Sequence, residues 1–144
     1  MADVCVITGG GSGIGLAIAE HMPKEKTLVI CGRSQGKLEN AVEKLKEAGC
    51  NAHFITCDVS SRKDVHELFL FARSCGDVKT VVHAAGLSPA MSEPETLIRV
   101  NAIGTKNVNM ESAKFMSKGG VLIDVASNSA YALPSMIKPR GIYK

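Results

Sequence analysis

Five glycines crowd into seven positions near the N-terminus, directly after an apolar run. The run is Asp3–Thr8 (DVCVIT), and the glycines are Gly9, Gly10, Gly11, Gly13 and Gly15. A glycine-rich turn between a strand and a helix lets a phosphate approach the backbone closely, and the free N–H groups of the helix favour the anion. The cluster therefore predicts a cradle for the pyrophosphate of a dinucleotide.

Two common phosphate-binding motifs do not fit this turn. The P-loop requires Lys and Ser or Thr after its last glycine, where Gly15 is followed by Leu16 and Ala17, and the G-x-G-x-x-G fingerprint finds no register. The pattern that fits is T-G-x-x-x-G-x-G, carried by Thr8, Gly9, Gly13 and Gly15.

The end of the second predicted strand bears on the choice of dinucleotide. It reads Cys31-Gly32-Arg33-Ser34 and lacks the carboxylate that would bind the 2′-hydroxyl of NAD. The Arg33 guanidinium suits a 2′-phosphate, and the Ser34 hydroxyl adds a second donor. The sequence thus predicts NADP rather than NAD, with a plain surface arginine as the alternative.

The glycine turn belongs to a regular alternation of apolar runs and amphipathic segments. The predicted strands are Asp3–Thr8, Thr27–Cys31, Ala52–Cys57, Thr80–Ala84 and Val121–Ala126. The predicted helices are Gly13–Met22, Gln35–Ala48, a third from Ser60 or Ser61 to about Ser74, and Glu93 to about Met116. Short continuous Val- and Ile-rich strands alternating with helices predict a doubly wound parallel α/β sheet, which makes residues 1–144 one dinucleotide-binding domain.

Composition excludes several other classes of protein. The chain has 144 residues, a net charge of +3 and no basic block, so a nucleic-acid partner is not expected. No apolar run approaches the roughly 20 residues of a membrane span, and no signal peptide is visible. The five cysteines form no C-x-x-C motif, which favours reduced buried thiols in a cytoplasmic protein over disulfides or a metal site.

Five motifs in order resemble the short-chain dehydrogenase/reductase family. They are the glycine pattern, CDVS at 57–60, HAAG at 83–86 with His83 in place of the usual Asn, VNAIGT at 100–105, and GGVLIDVASNSA at 119–130. The resemblance implies a Rossmann fold, with Asp58 hydrogen-bonded to the adenine ring. The implied cofactor-binding residues are Thr8, Gly9, Gly11, Ser12, Gly13, Ile14, Gly15, Arg33, Ser34, Asp58, Val59, Ala84, Ala85 and Gly86.

The same resemblance implies hydride transfer between a nicotinamide and an alcohol or ketone. It assigns Asn101 to holding a water in the proton path, and Ser127 to binding the substrate oxygen, with Ser129 as the second candidate. The family's tyrosine is followed by lysine four residues later, a pattern that neither Tyr131 nor Tyr143 meets. Tyr143 is retained as a candidate, and we expect the chain to be the N-terminal part of a longer protein that carries the Tyr–Lys pair.

A second function is compatible with the same sequence. A protein that keeps the dinucleotide site and lacks catalysis would act as a sensor or scaffold, and the missing Tyr-x-x-x-Lys pattern favours it if the natural chain has only these 144 residues. Asn101 and Ser127 at their expected places favour the enzyme. In either case we expect a homo-oligomer, a dimer or tetramer, and the sequence does not identify the substrate.

Overall fold

Five parallel strands form a single sheet in a computed structural model that describes residues 1–128. The strands, in chain order, are β1 (Asp3–Thr8), β2 (Thr27–Gly32), β3 (Asn51–Thr56), β4 (Asp77–His83) and β5 (Val121–Asp124). Their order across the sheet is β3-β2-β1-β4-β5, and every pairing is parallel. This confirms the predicted doubly wound sheet of the Rossmann type.

Helices cover both faces of the sheet. They are α1 (Gly13–His21), α2 (Gln35–Glu47), α3 (Arg62–Cys75), α4 (Pro94–Ile98) and α5 (Thr105–Phe115). Buried residues of α1 and α2 belong to one hydrophobic cluster, while those of α3 and α5 belong to another. Because consecutive residues of β1 alternate between the two clusters, both faces of the strand are buried, which explains its unbroken apolar run.

The segment predicted as one helix from Glu93 to Met116 is interrupted. A π-helical turn at Arg99–Gly104 separates α4 from α5, and a short 3₁₀ turn at Pro89–Met91 precedes α4. A side chain at Gly104 would come within 2.7 Å of Val59 Cγ2, so the end of this turn packs closely against the segment after β3. The wider turn places Asn101 at the side of the sheet's carboxyl edge, where its amide bonds the backbone of Leu87.

The strands after β1 also differ from the prediction, by one to three residues at one end or both. Strand β2 continues to Gly32, β3 runs from Asn51 to Thr56, and β4 ends at His83, one residue from each predicted bound. Strand β4 begins at Asp77, three residues before the predicted start, because a register shift lets Val4 pair with Val78 and Cys5 with Thr80. That shift leaves Lys79 without a register partner on β1, as in a bulge. Strand β5 ends at Asp124 rather than Ala126.

The cysteines are unpaired, as the sequence predicts. Four are buried, and Cys75 is half-buried. Burial raises the pKa of the Cys5 thiol to about 12, so this side chain behaves as a small apolar group rather than as a nucleophile.

Candidate functional site

The strand order creates a crevice at the carboxyl edge of the sheet. The connections from β1 and β2 run over one face and those from β3 and β4 over the other, so the chain switches faces between the neighbouring strands β1 and β4. Ligands bind at such switch points in open α/β sheets, because the loops on either side separate there.

The glycine turn forms one wall of this crevice. Gly13 has a φ of 54°, and a side chain placed there would meet no atom within 4 Å, so the space in front of it is open. A side chain at Gly15, by contrast, would collide with the carbonyl oxygen of Gly9. One glycine therefore keeps the turn tight, while the other leaves room for a ligand close to the backbone.

The crevice contains a cleft of about 420 Å³. Every predicted cofactor-binding residue except Thr8 lines it. Further lining residues, which were not among the predicted cofactor-binding residues, are Gly32, Lys37, Leu38, Cys57, Leu87, Met91 and Val100. The cleft thus joins the ends of four strands, which is the extent that a dinucleotide site requires.

Thr8 lies beneath the cleft instead of on its wall. Its side chain is fully buried, and its Oγ1 accepts a hydrogen bond from the Ala85 N–H at 3.1 Å. Thr8 therefore joins the end of β1 to the loop after β4 and acts on the cleft indirectly, through residues such as Ala85.

Asp58 presents one carboxylate oxygen to its own loop. Oδ1 accepts hydrogen bonds from the Ser60 N–H at 2.9 Å and the Ser60 hydroxyl at 2.7 Å, and Oδ2 has no partner within residues 1–128. Ser61, the other residue at which the third helix was predicted to begin, accepts the Asp64 N–H with its side chain and caps the N-terminus of α3. Asp58 is thus fixed in the cleft with an oxygen available as an acceptor.

Two cations stand at the end of β2. Arg33 and Lys37 both line the cleft and are exposed, and neither forms an ion pair within the described part of the chain. The Lys37 Cβ lies 3.4 Å from the position that a side chain at Gly11 would take, so the lysine stem rests beside the glycine turn. This end of the cleft is therefore suited to a phosphate.

Arg33 also borders a smaller hollow shared with Asp58 and Asp64. Two hydrogen bonds, first from the Asp58 N–H and then from the Ser61 hydroxyl, hold the pKa of Asp64 below its ordinary value. The carboxylates of Asp58 and Asp64 partly offset the positive charge of Arg33. Lys37 supplies a second positive charge, so this end of the cleft could still balance a doubly charged phosphate.

Asn101 lies beside the cleft in the π-helical turn. Its side-chain amide accepts a hydrogen bond from the Leu87 N–H through Oδ1 and donates one to the Leu87 carbonyl through Nδ2, both at 2.8 Å. The backbone carbonyl of Asn101 accepts a hydrogen bond from the Thr105 hydroxyl at 2.8 Å. Asn101 therefore fixes the loop after β4.

The other predicted catalytic residues are only partly within the structure. Ser127 is exposed, three residues beyond the end of β5, and β5 lies alongside β4. Ser129, Tyr131 and Tyr143 lie outside the described residues. In residues 1–128 no three metal-ligating side chains form a cluster. Over the same range no helix is long and apolar enough to cross a bilayer.

A doubly wound sheet with a glycine turn, an acidic strand end and paired cations at one crevice defines a dinucleotide-binding protein of the Rossmann class. The family model described as short chain dehydrogenase matches residues 3–137. The chain belongs to this family, as its motifs predict.

Individual relatives agree with this assignment. The chain is 31% identical over 142 residues to "Short-chain dehydrogenase/reductase bsc3" of Alternaria brassicicola, covering 99% of this chain and 52% of that protein. It is 30% identical over 150 residues to "3-hydroxyacyl-CoA dehydrogenase type-2" of Drosophila melanogaster, covering 89% and 58%. The chain thus spans little more than half the length of these two relatives.

Solved structures show the same fold. A variant of actinorhodin polyketide ketoreductase with NADPH superposes with a TM-score of 0.79 at 28% identity, covering 90% of this chain and 55% of that one. A short-chain type dehydrogenase/reductase from Mycobacterium ulcerans gives the same TM-score at 26% identity, covering 90% and 52%.

Proposed function

We propose that this chain forms the dinucleotide-binding part of an NADP-dependent oxidoreductase that moves a hydride between the nicotinamide and an alcohol or ketone. The proposal rests on the open space in front of Gly13. This space is part of a cleft that is also lined by the cations Arg33 and Lys37. The ketoreductase structure with NADPH supports it by analogy. We further propose that the protein is cytoplasmic and a homo-oligomer.

The proposed binding roles follow the walls of the cleft. The glycine turn, from Gly9 to Gly15, accommodates the pyrophosphate, and Asp58 with Val59 holds the adenine. Ala84, Ala85 and Gly86 form the opposite wall. When bound, the nicotinamide supplies or accepts the hydride.

The proposed catalytic roles rest on the family resemblance. Ser127 binds the substrate oxygen, and Asn101 holds a water in the proton path. A tuned proton donor is needed because an alkoxide develops during carbonyl reduction. Tyr143 is the candidate donor within this chain.

The preference for NADP rests on charge at the end of β2. A 2′-phosphate carries a charge of about −1.5 to −2 at neutral pH. Arg33 and Lys37 both line that end of the cleft, where residues 31–34 supply no carboxylate that would repel the phosphate. With the uncharged 2′-hydroxyl of NAD the same cations form hydrogen bonds at most and gain no charge–charge attraction.

Calorimetric titration with NADPH and NADH tests this preference. The unmodified chain should bind NADPH more tightly, and Arg33→Asp should reverse the order, because a carboxylate repels the phosphate and accepts from the hydroxyl. Lys44→Glu makes the same change of charge on the far half of α2, outside the cleft, and should leave the order unchanged. Equal affinities in the unmodified chain would refute the NADP assignment.

The second candidate is a dinucleotide-binding sensor or scaffold without catalysis. It is favoured by the sequence around Tyr131, where Ser135 stands at the position of the family's lysine. An NADPH-consumption assay with a panel of ketones separates the two candidates, using the product of the natural gene and its Ser127→Ala variant. Turnover that Ser127→Ala abolishes supports the enzyme, whereas NADPH binding without turnover supports the sensor.

A further inference from the structure

The ring of His83 lies between two hydroxyl groups from different elements. Its Nδ1 is 2.7 Å from Thr8 Oγ1, at the end of β1, and its Nε2 is 3.0 Å from Thr105 Oγ1, at the start of α5. His83 itself ends β4 and is only 3% exposed. The imidazole therefore bridges three elements that meet beneath the cleft.

The partners of Thr8 determine which ring nitrogen of His83 carries the proton. Thr8 Oγ1 already accepts the Ala85 N–H, and the Thr8 side chain is fully buried. Its hydroxyl proton has no described acceptor other than His83 Nδ1. A buried donor without an acceptor costs about 1–3 kcal/mol, so Nδ1 acts as the acceptor and carries no proton.

The partners of Thr105 lead to the same tautomer. Its hydroxyl donates to the Asn101 carbonyl at 2.8 Å, which leaves Oγ1 free to accept from His83. A proton on Nε2 satisfies this acceptor. Each group in the series therefore donates to the next. The series begins at the Ala85 N–H, passes through Thr8, His83 and Thr105, and ends at the backbone carbonyl of Asn101.

We propose that His83 is a positioning residue which, as the neutral Nε2–H tautomer, connects the glycine-turn strand to Asn101 and thereby fixes the loop after β4 for dinucleotide binding. This inference rests on the proposed function. Ala85 begins the series of hydrogen bonds, and Asn101, at its end, binds the Leu87 backbone through its side-chain amide. Ala85 and Leu87 both line the cleft, so both ends of the hydrogen-bond series act on the cleft wall. Neither Thr8 nor Thr105 lines it.

The first experiment reads the tautomer directly. Heteronuclear NMR of the ¹⁵N-labelled 144-residue chain, without dinucleotide, should show His83 protonated at Nε2 and unprotonated at Nδ1. Selective loss of the signal in His83→Asn assigns it among the four histidines. An Nδ1–H tautomer, or an imidazolium at neutral pH, would overturn the proposal.

The second experiment removes the hydrogen bonds between His83 and Asn101 without substituting His83 itself. Thr105→Val keeps the shape but loses the hydroxyl and its hydrogen bonds to His83 and Asn101. We expect amide exchange at Leu87 to accelerate about tenfold, a change of the size of one hydrogen bond, because the Asn101 side chain then holds the Leu87 N–H less firmly. NADPH should bind about threefold more weakly, as expected for coupling through a packed network. Thr105→Ser restores the hydroxyl and should return both values close to those of the unmodified chain.

A control amide separates local from global effects. The Gly10 N–H, which bonds the Cys31 carbonyl at 3.1 Å, lies outside the connection and should keep its exchange rate in Thr105→Val. Unchanged exchange at Leu87, or equal acceleration at both amides, would overturn the positioning role. Failure of all dinucleotide binding with the expected tautomer and exchange would instead refute the proposed function alone.

Discussion

Gly13 is the residue at which the cradle is most easily tested. Gly13 has a positive φ of 54° and open space before it, so a side chain there would both strain the backbone and exclude a ligand. A comparison with Gly49, a matched position, separates these two effects. Gly49 has a φ of 85°, also meets no atom within 4 Å, and lies outside the cleft at the end of α2.

We predict that Gly13→Val abolishes dinucleotide binding while helical content stays close to that of the unmodified chain. The valine occupies the space that the pyrophosphate needs. Gly49→Val should suffer comparable strain, about 1–2 kcal/mol, and keep its affinity. Circular dichroism measures helical content, and calorimetry with NADPH measures binding. Near-normal affinity in Gly13→Val would show that the cradle is misassigned.

At the residue scale, the sequence identifies site residues that follow a strand and misses those that reach the site from a helix or through a contact distant in sequence. The glycine turn was predicted because it directly follows a strand, and Asp58 because the CDVS motif at 57–60 resembles a family motif. Lys37 was missed because it stands on α2, although a lysine in the first turn of a helix, where a carboxylate is favoured, is a usable signal. The contact of His83 with Thr105 joins residues 22 positions apart and has no local signal.

At the element scale, a buried carboxylate joins α3 to α5. Glu111 is 1% exposed and is hydrogen-bonded by His66 Nδ1, at 2.9 Å, and by Lys114. Burial acts to raise the pKa of Glu111, but these hydrogen bonds outweigh it and hold the pKa below its ordinary value of 4.5. The folded state therefore favours the ionised carboxylate.

We predict that Glu111→Gln lowers the free energy of unfolding by about 1–3 kcal/mol at neutral pH, as for loss of a charged hydrogen bond. Since the folded pKa lies below 4.5, the contribution of Glu111 is complete above that pH and disappears as the pH falls through the folded value. Urea unfolding of both proteins, at neutral pH and in acid, should show the difference shrinking.

Glu67 provides the control for this prediction. It pairs with Lys63 on the exposed face of α3, at 3.8 Å. Exposed pairs contribute about 0–1 kcal/mol, so Glu67→Gln should change the free energy of unfolding little at either pH. A difference between Glu111→Gln and the unmodified chain that stays constant with pH would contradict the role of the ionised carboxylate.

The elements themselves were largely predictable, whereas the interruptions were not. Amphipathic spacing placed α2 and α3 within a residue or two of their observed bounds. The π-helical turn was missed because the segment from 93 to 116 reads as helical throughout. What distinguishes it is the close packing of Gly104 against Val59, a contact between distant parts of the chain.

At the scale of the whole molecule, the sheet has one edge of special interest. Strand β5 pairs with β4, and its other edge has no strand partner within residues 1–128. Val121 and Ile123 on this strand are 54% and 47% exposed, and Val125 just after its end is 42% exposed. An apolar unpaired edge is a template for pairing with another chain.

We predict that the 144-residue chain self-associates as its concentration rises, and that Ile123→Lys suppresses this association. A lysine on an edge strand opposes pairing because its charge must be desolvated and would face the lysine of a second copy. Leu70→Lys places the same charge at another exposed apolar residue, on α3, where 51% of the residue is accessible. Sedimentation velocity over a range of concentrations should show Leu70→Lys associating like the unmodified chain and Ile123→Lys remaining monomeric. If both lysine variants dissociate alike, general charge repulsion rather than the β5 edge governs association.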